Sequence, residues 1–150
     1  MNHHSLTTRR ARGFTLIEVL TVLGIVSILS GIAWPTFQGS IQKVRRADAL
    51  VALVQVQISQ ERWRANHRSY GTLPELRIAG RSSAGHYALE VLAADDVHYE
   101  VIARASGPQA GDSECRHLKL VVDAVVTTRA SGPDDRVANP EAANRRCWGL

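Results

Sequence analysis

Residues 14–33 read FTLIEVLTVLGIVSILSGIA, an apolar stretch of twenty residues whose single formal charge is Glu18. At a rise of about 1.5 Å per residue, a helix of this length crosses the roughly 30 Å hydrocarbon layer of a bilayer. Arginines precede the stretch, and an excess of Lys and Arg normally stays on the cytoplasmic side. The sequence therefore predicts one membrane helix, with the rest of the chain on the opposite side of the membrane.

The excess of basic charge lies before this helix. The 150 residues include 18 Lys and Arg against 14 Asp and Glu, a formal net charge of +4. Arg9, Arg10 and Arg12 lie in the first thirteen residues, which contain no acid, so the remainder carries 15 basic and 14 acidic residues. The length corresponds to one domain, with or without a tether, and its near-neutral charge does not favour general binding to polyanions.

Ordinary secretion is the competing interpretation of the apolar stretch, because Gly31-Ile32-Ala33 offers a small-x-small site for signal peptidase. The stretch is longer than the usual apolar core of about 7 to 15 residues, contains an acid, and continues as a helical pattern beyond Ala33. A plain membrane anchor does not explain Glu18, since a carboxylate at a helix centre costs about 2.5 to 3.5 kcal/mol to insert. Glu18 is therefore a functional candidate that needs a compensating partner.

Residues 12–19, RGFTLIEV, resemble the class III leader and cleavage motif of type IV pilins and of their relatives, the pseudopilins of type II secretion. The resemblance implies that prepilin peptidase cuts after Gly13 and methylates the new amino terminus on Phe14. It places the family's glutamate of the fifth mature position on Glu18. It also aligns Pro35 with the proline found further along the mature helix. Both are therefore candidate assembly residues.

This resemblance divides the chain into a cleaved leader peptide at 1–13, a transmembrane and polymerisation half of the helix at 14–40, and a periplasmic pilin head at 41–150. Pro35 lacks an N–H donor and is expected to kink or loosen the helix without ending it. Beyond it, apolar residues at three- and four-residue steps predict an amphipathic helix that ends near residue 66 or 67. The stripe predicted to pack on the head consists of Val44, Ala47, Val51, Val54 and Ile58, widened by Leu50 and Trp63.

Alternating apolar residues predict four antiparallel strands after a loop that runs to about Gly85. They are Tyr87–Leu92, Val97–Arg104, Leu118–Val122 and Val125–Arg129, with turns at Asp95-Asp96 and Asp123-Ala124. Residues 131–135, SGPDD, open a polar loop predicted to reach the C-terminus. The fold class is therefore α+β. Together with the resemblance it implies the type IV pilin fold, a long helix with a transmembrane and an amphipathic half, packed on an antiparallel sheet of about four strands.

The head resembles the small minor pilins rather than the major fibre subunits. The resembling pieces occur in the family's order: residues 45–49, 60–63, 69–71, 107–109, 112–115 and 147–148. Relatives usually place a glycine in the third hairpin turn, where this chain offers Asp123-Ala124. The resemblance implies a structural subunit of a type IV pilus or its initiating tip complex, serving twitching motility, adhesion or DNA uptake. Its implied partners are prepilin peptidase, other major and minor pilins and an inner-membrane assembly platform, and its location is the inner membrane before assembly and the extracellular pilus afterwards.

Cys115 and Cys147 are the only cysteines, and both fall on the predicted periplasmic side, where thiols oxidise. A disulfide bond is expected, and two free buried thiols are the alternative. Zinc is not expected, because His117 is the only histidine near either cysteine and the spacing matches no metal pattern. The remaining histidines after the leader are isolated, so no metal site is predicted.

The sequence contains no nucleophile elbow, Walker loop, zinc-protease motif or dinucleotide-binding motif, so neither an enzyme nor a cofactor is expected. Basic clusters around residues 43–46, 62–68 and 145–146 leave DNA binding open, since phosphate contacts need accessible cations. The candidate residues are Arg62, Arg64, Arg68, Arg145 and Arg146. Three alternatives to a minor pilin therefore remain: a type II secretion pseudopilin, a DNA-binding competence receptor and a membrane-anchored periplasmic enzyme.

Overall fold

The computed structural model describes residues 13–150, and for residues 34–36 it describes the backbone alone. The predicted leader with Arg9, Arg10 and Arg12 lies outside the described residues, except for Gly13. The chain divides into two compact units, one ending at Phe37 and one spanning Gln38–Leu150, which is called the head below. The elements are α1 (Leu16–Arg64), β1 (Tyr87–Ala94), β2 (His98–Ala105), a 3₁₀ helix (Gly107–Gly111), β3 (His117–Asp123), β4 (Val126–Gly132) and α2 (Glu141–Trp148).

Helix α1 contains 49 residues and continues through Pro35 without an interruption in its helical assignment. The proline does not end the helix, as predicted, and the expected loosening produces no gap in it, since proline removes only one backbone donor. From Phe14 to Ile32 the large apolar side chains of this segment are exposed. This part of α1 is long and apolar enough to cross a membrane.

Within the head, α1 packs on the sheet with a different face from the predicted one. Ala49, Leu53 and Val56 are at most 1% exposed, whereas Val44 and Val51 are 74% and 66% exposed. The predicted stripe through Val44, Ala47, Val51, Val54 and Ile58 is therefore wrong as a core face, because these residues are all exposed. The helix carries two apolar stripes, and periodicity does not say which one the sheet covers.

The sequence does not single out the buried stripe of Ala49, Leu53 and Val56, because the next residue on that face is the polar Gln60. This side chain is fully buried, and its amide donates to the Gly71 carbonyl over 2.7 Å and accepts from the Gly71 amide over 2.8 Å. Both polar ends of the amide are thereby satisfied, which removes the usual penalty for burying them. Gln60 thus continues the buried face of α1 and binds the loop that follows the helix.

The four strands form one antiparallel sheet, as predicted, and their order is β1-β2-β3-β4. The turn at Asp95-Asp96 is also confirmed, since Asp95 Oδ1 accepts from the amides of Val97 and His98 over 2.9 and 2.7 Å. The α+β fold class is therefore confirmed. The core between α1 and the sheet is built mainly from Leu53, Val56, Leu73, Tyr87, Leu89, Tyr99, Val101, Ala103, Leu118, Leu120 and Val122.

The third hairpin turn lies one residue later than predicted. Asp123 is the last residue of β3 and pairs with Val126, so the two-residue turn is Ala124-Val125. Ala124 has φ 51°, the left-handed conformation for which glycine is favoured. The sequence suggests the wrong turn position, because Asp is common in turns and Val125 and Val126 have strong strand propensity.

The predicted polar loop from residue 131 to the C-terminus is wrong. Ser131 and Gly132 end β4 as buried residues, and a Cβ on Gly132 would lie 2.7 Å from Val137 Cα, so this glycine permits a close backbone approach. Helix α2 follows and ends at Trp148, where Gly149 caps it in the left-handed conformation with φ 69°. Its signals were present in the sequence as Glu141 in the first turn and basic residues in the last, but eight residues are too few for a clear helical period.

Candidate functional site

The start of α1 brings together the predicted cleavage point and the intramembrane acid. Gly13, Phe14, Thr15 and Glu18 line an open surface cavity of about 420 Å³. Phe14 is 81% exposed, and among the described residues beyond its chain neighbours no heavy atom lies within 4 Å of the position of a Cβ on Gly13. The described part of the fold therefore imposes no steric requirement for glycine at residue 13, and we expect any such requirement to come from an enzyme that binds this segment.

Glu18 also has a local role that the sequence analysis missed. The Glu18 amide donates to Thr15 Oγ1 over 3.3 Å, and the Thr15 amide donates weakly to Glu18 Oε2 over 3.5 Å. This reciprocal pattern is a capping box, which satisfies amides that the first helical turn leaves without partners. The Thr-x-x-Glu spacing was the available signal. The carboxylate therefore supports the helix start, and its charge can in addition meet a partner outside the chain.

In the head, Cys115 and Cys147 form a disulfide bond with their Cα atoms 5.4 Å apart. The bond joins α2 to the segment before β3, and an ion pair of 2.6 Å between Arg146 and Glu114 lies beside it. Although Glu114 lies near both sulfur atoms, the sulfurs are bonded to each other and are not available to a metal ion. This corner of the head is therefore a covalent tie between two segments.

A second tie within the head is an ion pair between Arg46 of α1 and Asp112, both of which are largely buried. Arg46 donates two hydrogen bonds to the Asp112 carboxylate over 2.5 and 2.8 Å, and Gln109 donates to the same carboxylate over 3.1 Å and to the Tyr87 hydroxyl over 3.0 Å. Burial opposes the charge of Arg46, but the hydrogen bonds to Asp112 outweigh it and raise the pKa of Arg46. Burial raises the pKa of Tyr87 to about 12. Arg46 therefore serves the fold and is not available to a ligand.

The candidate DNA-binding arginines fall into two groups, those whose guanidinium bonds to other groups of the head and those that are exposed without an ion pair. Arg64 donates to the carbonyls of His67 and Asp96 over 2.9 and 2.7 Å and lies 5.5 Å from the Tyr70 ring centroid, so it ties the end of α1 to the β1–β2 turn. Arg146 pairs with Glu114. Three candidates are exposed and form no ion pair within residues 13–150: Arg62, Arg68 and Arg145.

Arg62 shares a surface cavity of about 350 Å³ with Arg77 at the end of α1. The rings of Trp63 and His67, which also line this cavity, stack with centroids 3.6 Å apart. Arg77 has φ 55° and lies in the loop, outside the basic clusters that the sequence shows, so sequence reasoning missed it. The cavity joins two exposed cations to an aromatic stack, and its one acid, Glu75, accepts hydrogen bonds from the Thr72 amide and hydroxyl over 2.7 Å each. The arginines of α2 belong to a different element.

Comparison with known proteins agrees with these features. A family model described as "Type IV minor pilin ComP, DNA uptake sequence receptor" matches residues 35–119, and a model of the prokaryotic N-terminal methylation motif matches residues 8–34. The prepilin peptidase-dependent protein D of Escherichia coli K12 is 36% identical over 63 residues, covering 42% of this chain and 43% of that protein. A fimbrial protein of Neisseria meningitidis serogroup B is 29% identical over 77 residues, covering 47% and 45%.

The chain thus spans less than half the length of these relatives, whereas the minor pilin model covers more than half of the chain itself. Pilins are structural proteins, so the expectation that the chain is not an enzyme is confirmed. The sequence predicted a methylation motif, a membrane-compatible helix and a disulfide-bonded α+β head. All three are found. This chain belongs to the type IV minor pilin family.

Proposed function

We propose that the chain is a minor subunit of a type IV pilus that is cleaved after Gly13, methylated on Phe14 and assembled through its N-terminal helix. The observation that carries this proposal is the succession of a methylation motif on residues 8–34 and a minor pilin model that begins at residue 35. Its partners are prepilin peptidase, other pilins and an inner-membrane assembly platform. The similarity to a fimbrial protein favours a pilus over a type II secretion system.

In this proposal the subunit is a single-pass inner-membrane protein with a periplasmic head before assembly. The exposed stripe of α1, taken through Val44, Ala47, Val54 and Ile58, is the surface on which neighbouring helices pack. Exposed apolar stripes of this kind mark interaction surfaces. The free amine created at Phe14 on an incoming subunit is the partner that compensates Glu18 of a subunit already in the fibre, because pairing relieves the cost of each unpaired charge in apolar surroundings.

Processing provides the first test. Mass spectrometry of the membrane-extracted protein is expected to find an N-methylated Phe14 as the first residue. Gly13→Glu is expected to retain the leader almost completely, because a long charged side chain cannot lie in a cleft that accepts a bare backbone. Since the position is open within the chain itself, the variant is expected to keep a normally folded head. A mature N-terminus at Trp34 would instead identify ordinary secretion and contradict the proposal.

DNA binding is a second candidate function, favoured by the description of the matched model as a DNA uptake sequence receptor. The cavity lined by Arg62 and Arg77 supports it, because both guanidinium groups are exposed and form no ion pair within residues 13–150. Arginines contact phosphate, and the aromatic stack offers a face to a base. In this proposal Arg68 and Arg145 contribute further phosphate contacts, while Arg64 and Arg146 mainly hold the fold.

The test is a gel-shift titration of duplex DNA with the full-length protein in detergent at several salt concentrations. Arg62→Ala combined with Arg77→Ala is expected to weaken binding and to reduce the salt slope by about 0.9 for each phosphate that the variant no longer neutralises. Arg136→Ala is the matched control, since this exposed arginine pairs with Asp134 outside the cavity. No shift at low salt, or an equal weakening in the control, would remove the DNA function and leave the pilus function standing.

A further inference from the structure

The free end of the β3–β4 hairpin carries an unusual group of exposed apolar side chains. Val125 is 96% exposed and Val126 is 60% exposed, and Val97 of the neighbouring β1–β2 turn is 51% exposed. The Ala124 amide donates to the Val97 carbonyl over 2.8 Å, so the two turns are joined. These three valines are called the valine tip below. Such side chains at the end of a tied pair of hairpins indicate a contact surface.

The valine tip is hydrogen-bonded within its turns and bordered by acids. The Asp95 carboxylate accepts from the amides of Val97 and His98, which holds the β1–β2 turn. Asp96 and Asp123 are both exposed, and neither carboxylate forms an ion pair within residues 13–150. Arg64 approaches this region, but it binds the Asp96 backbone carbonyl rather than the carboxylate. The tip therefore combines an apolar centre with free negative charge.

A groove with the complementary properties lies between α1 and the loop before β1. This loop groove has a volume of about 400 Å³ and apolar surface from Val51, Ile78 and Leu89. Arg77 and Arg81 also line it, both are exposed, and no acid is among its lining residues. The remaining lining residues are Ala52, Gln55, Ala79, Ser82 and Ser83. The loop groove therefore combines an apolar floor with two cations.

The two features lie at opposite ends of the edge strand β1. The valine tip is at the end where β1 and β3 turn back into β2 and β4, since Val97 follows β1 and Val125 follows β3. The loop groove lies beside the start of β1, where Arg81 bridges to Ala88 and the Leu89 amide donates to the Gly80 carbonyl over 2.9 Å. A surface at one end of the head that complements a surface at the other is the geometry of a head-to-tail contact.

We propose that the valine tip of one copy docks in the loop groove of a second copy of this chain. The valines cover the apolar floor, and Asp123 lies against Arg81, so both area burial and charge favour the same pairing. A nucleic acid would satisfy the arginines of the groove but would leave its apolar floor uncovered. The inference rests on the proposed assembly of subunits, and its test includes a separate measure of that assembly.

The test places a photo-crosslinking residue at Val125 in the full-length chain, expressed as a mixture of isotope-labelled and unlabelled copies in membranes. Mass spectrometry of the cross-linked peptides is expected to join position 125 of one copy to residues 77–83 or 51–55 of a differently labelled copy. A parallel probe at Val54, on the exposed stripe of α1, reports helix contacts between subunits. The label mixture distinguishes contacts between copies from contacts within one copy.

Charge reversal tests the pairing itself. Asp123→Arg and Arg81→Asp are each expected to lower the cross-link yield about fivefold, and the two together are expected to restore most of it, since the charges are exchanged rather than removed. Glu141→Arg is the control, because this exposed acid lies at the start of α2. An equal decrease in the control, or no recovery in the double variant, would overturn the pairing.

The remaining outcomes separate this inference from the proposed function. Cross-links from position 54 without cross-links from position 125 to the groove would overturn tip docking and leave subunit assembly intact. Cross-links from position 125 to another protein, to DNA or within one copy would also overturn it. Absence of cross-links from both positions would count against both tip docking and assembly.

Discussion

Glu18→Val is expected to enter the membrane and to be cleaved after Gly13, but to be depleted about a hundredfold in sheared pili relative to the inner membrane. The substitution makes insertion easier, because it replaces a carboxylate, which is costly to place in a membrane, by an apolar side chain. It also leaves the amine of a neighbouring subunit without its partner. Breaking one side of a buried ion pair costs about 3 to 5 kcal/mol, which accounts for the size of the expected depletion.

The capping box provides a control that separates two roles of Glu18. Glutamine also fits this position of a capping box, so Glu18→Gln retains the local hydrogen bonds with Thr15 while it removes the charge. If the charge sets the register of assembly, the glutamine variant is depleted as strongly as the valine variant. Normal incorporation of the glutamine variant would instead show that the helix start, and not the charge, is what assembly requires.

Glu18→Asp is expected to lie between the wild type and the valine variant, since its carboxylate is shorter by one methylene group. The measurement is the ratio of this subunit in sheared pili to that in the inner membrane, with disulfide formation in the head checked separately. Wild-type incorporation of Glu18→Val would contradict the assignment of this acid to assembly. Loss of cleavage in the same variant would place its role in processing.

The second large effect is expected from Cys147→Ser. Closing a loop over a sequence separation of 32 residues stabilises a fold by about 3.7 kcal/mol in the chain-entropy treatment. Loss of a native disulfide from a small secreted domain typically costs about 2 to 5 kcal/mol. The bond also carries α2, whose Trp148 indole donates to the Ala130 carbonyl of β4 over 3.2 Å and whose Asn144 donates to the Arg129 carbonyl over 2.8 Å. These hydrogen bonds are expected to weaken with it.

Urea unfolding of the full-length protein in detergent, followed by the near-ultraviolet signal of the head, measures this destabilisation. The double variant Cys115→Ser with Cys147→Ser is the matched control, because it removes the same bond without leaving a thiol. Equal destabilisation in the single and double variants would assign the effect to the disulfide. Unchanged stability in both would show that the hydrogen bonds of α2 hold the C-terminal segment without it.

The membrane-compatible part of α1 could be predicted from the sequence, since its signals are local. An apolar run with one acid determines a membrane-compatible helix from composition and length alone, and the motif around Gly13 depends on adjacent residues. The alternating apolar residues determined the four strands in the same way, because alternate side chains of a strand point to opposite faces of the sheet. Two cysteines on the predicted periplasmic side left a simple choice between a disulfide and free thiols.

Only the tertiary structure decided how these elements use their side chains. The sheet covers the stripe through Leu53 and Val56 and leaves the one through Val44 and Val51 exposed, and the covered face also carries Gln60, whose amide is satisfied by Gly71. The tertiary structure held Arg46 in an ion pair with Asp112, sixty-six residues away in the chain, and left Arg62 exposed. It also allowed the eight-residue helix α2, which the disulfide and the edge of β4 hold in place. Each of these choices depends on partners distant in sequence, and no local pattern encodes the partner that a side chain meets after folding.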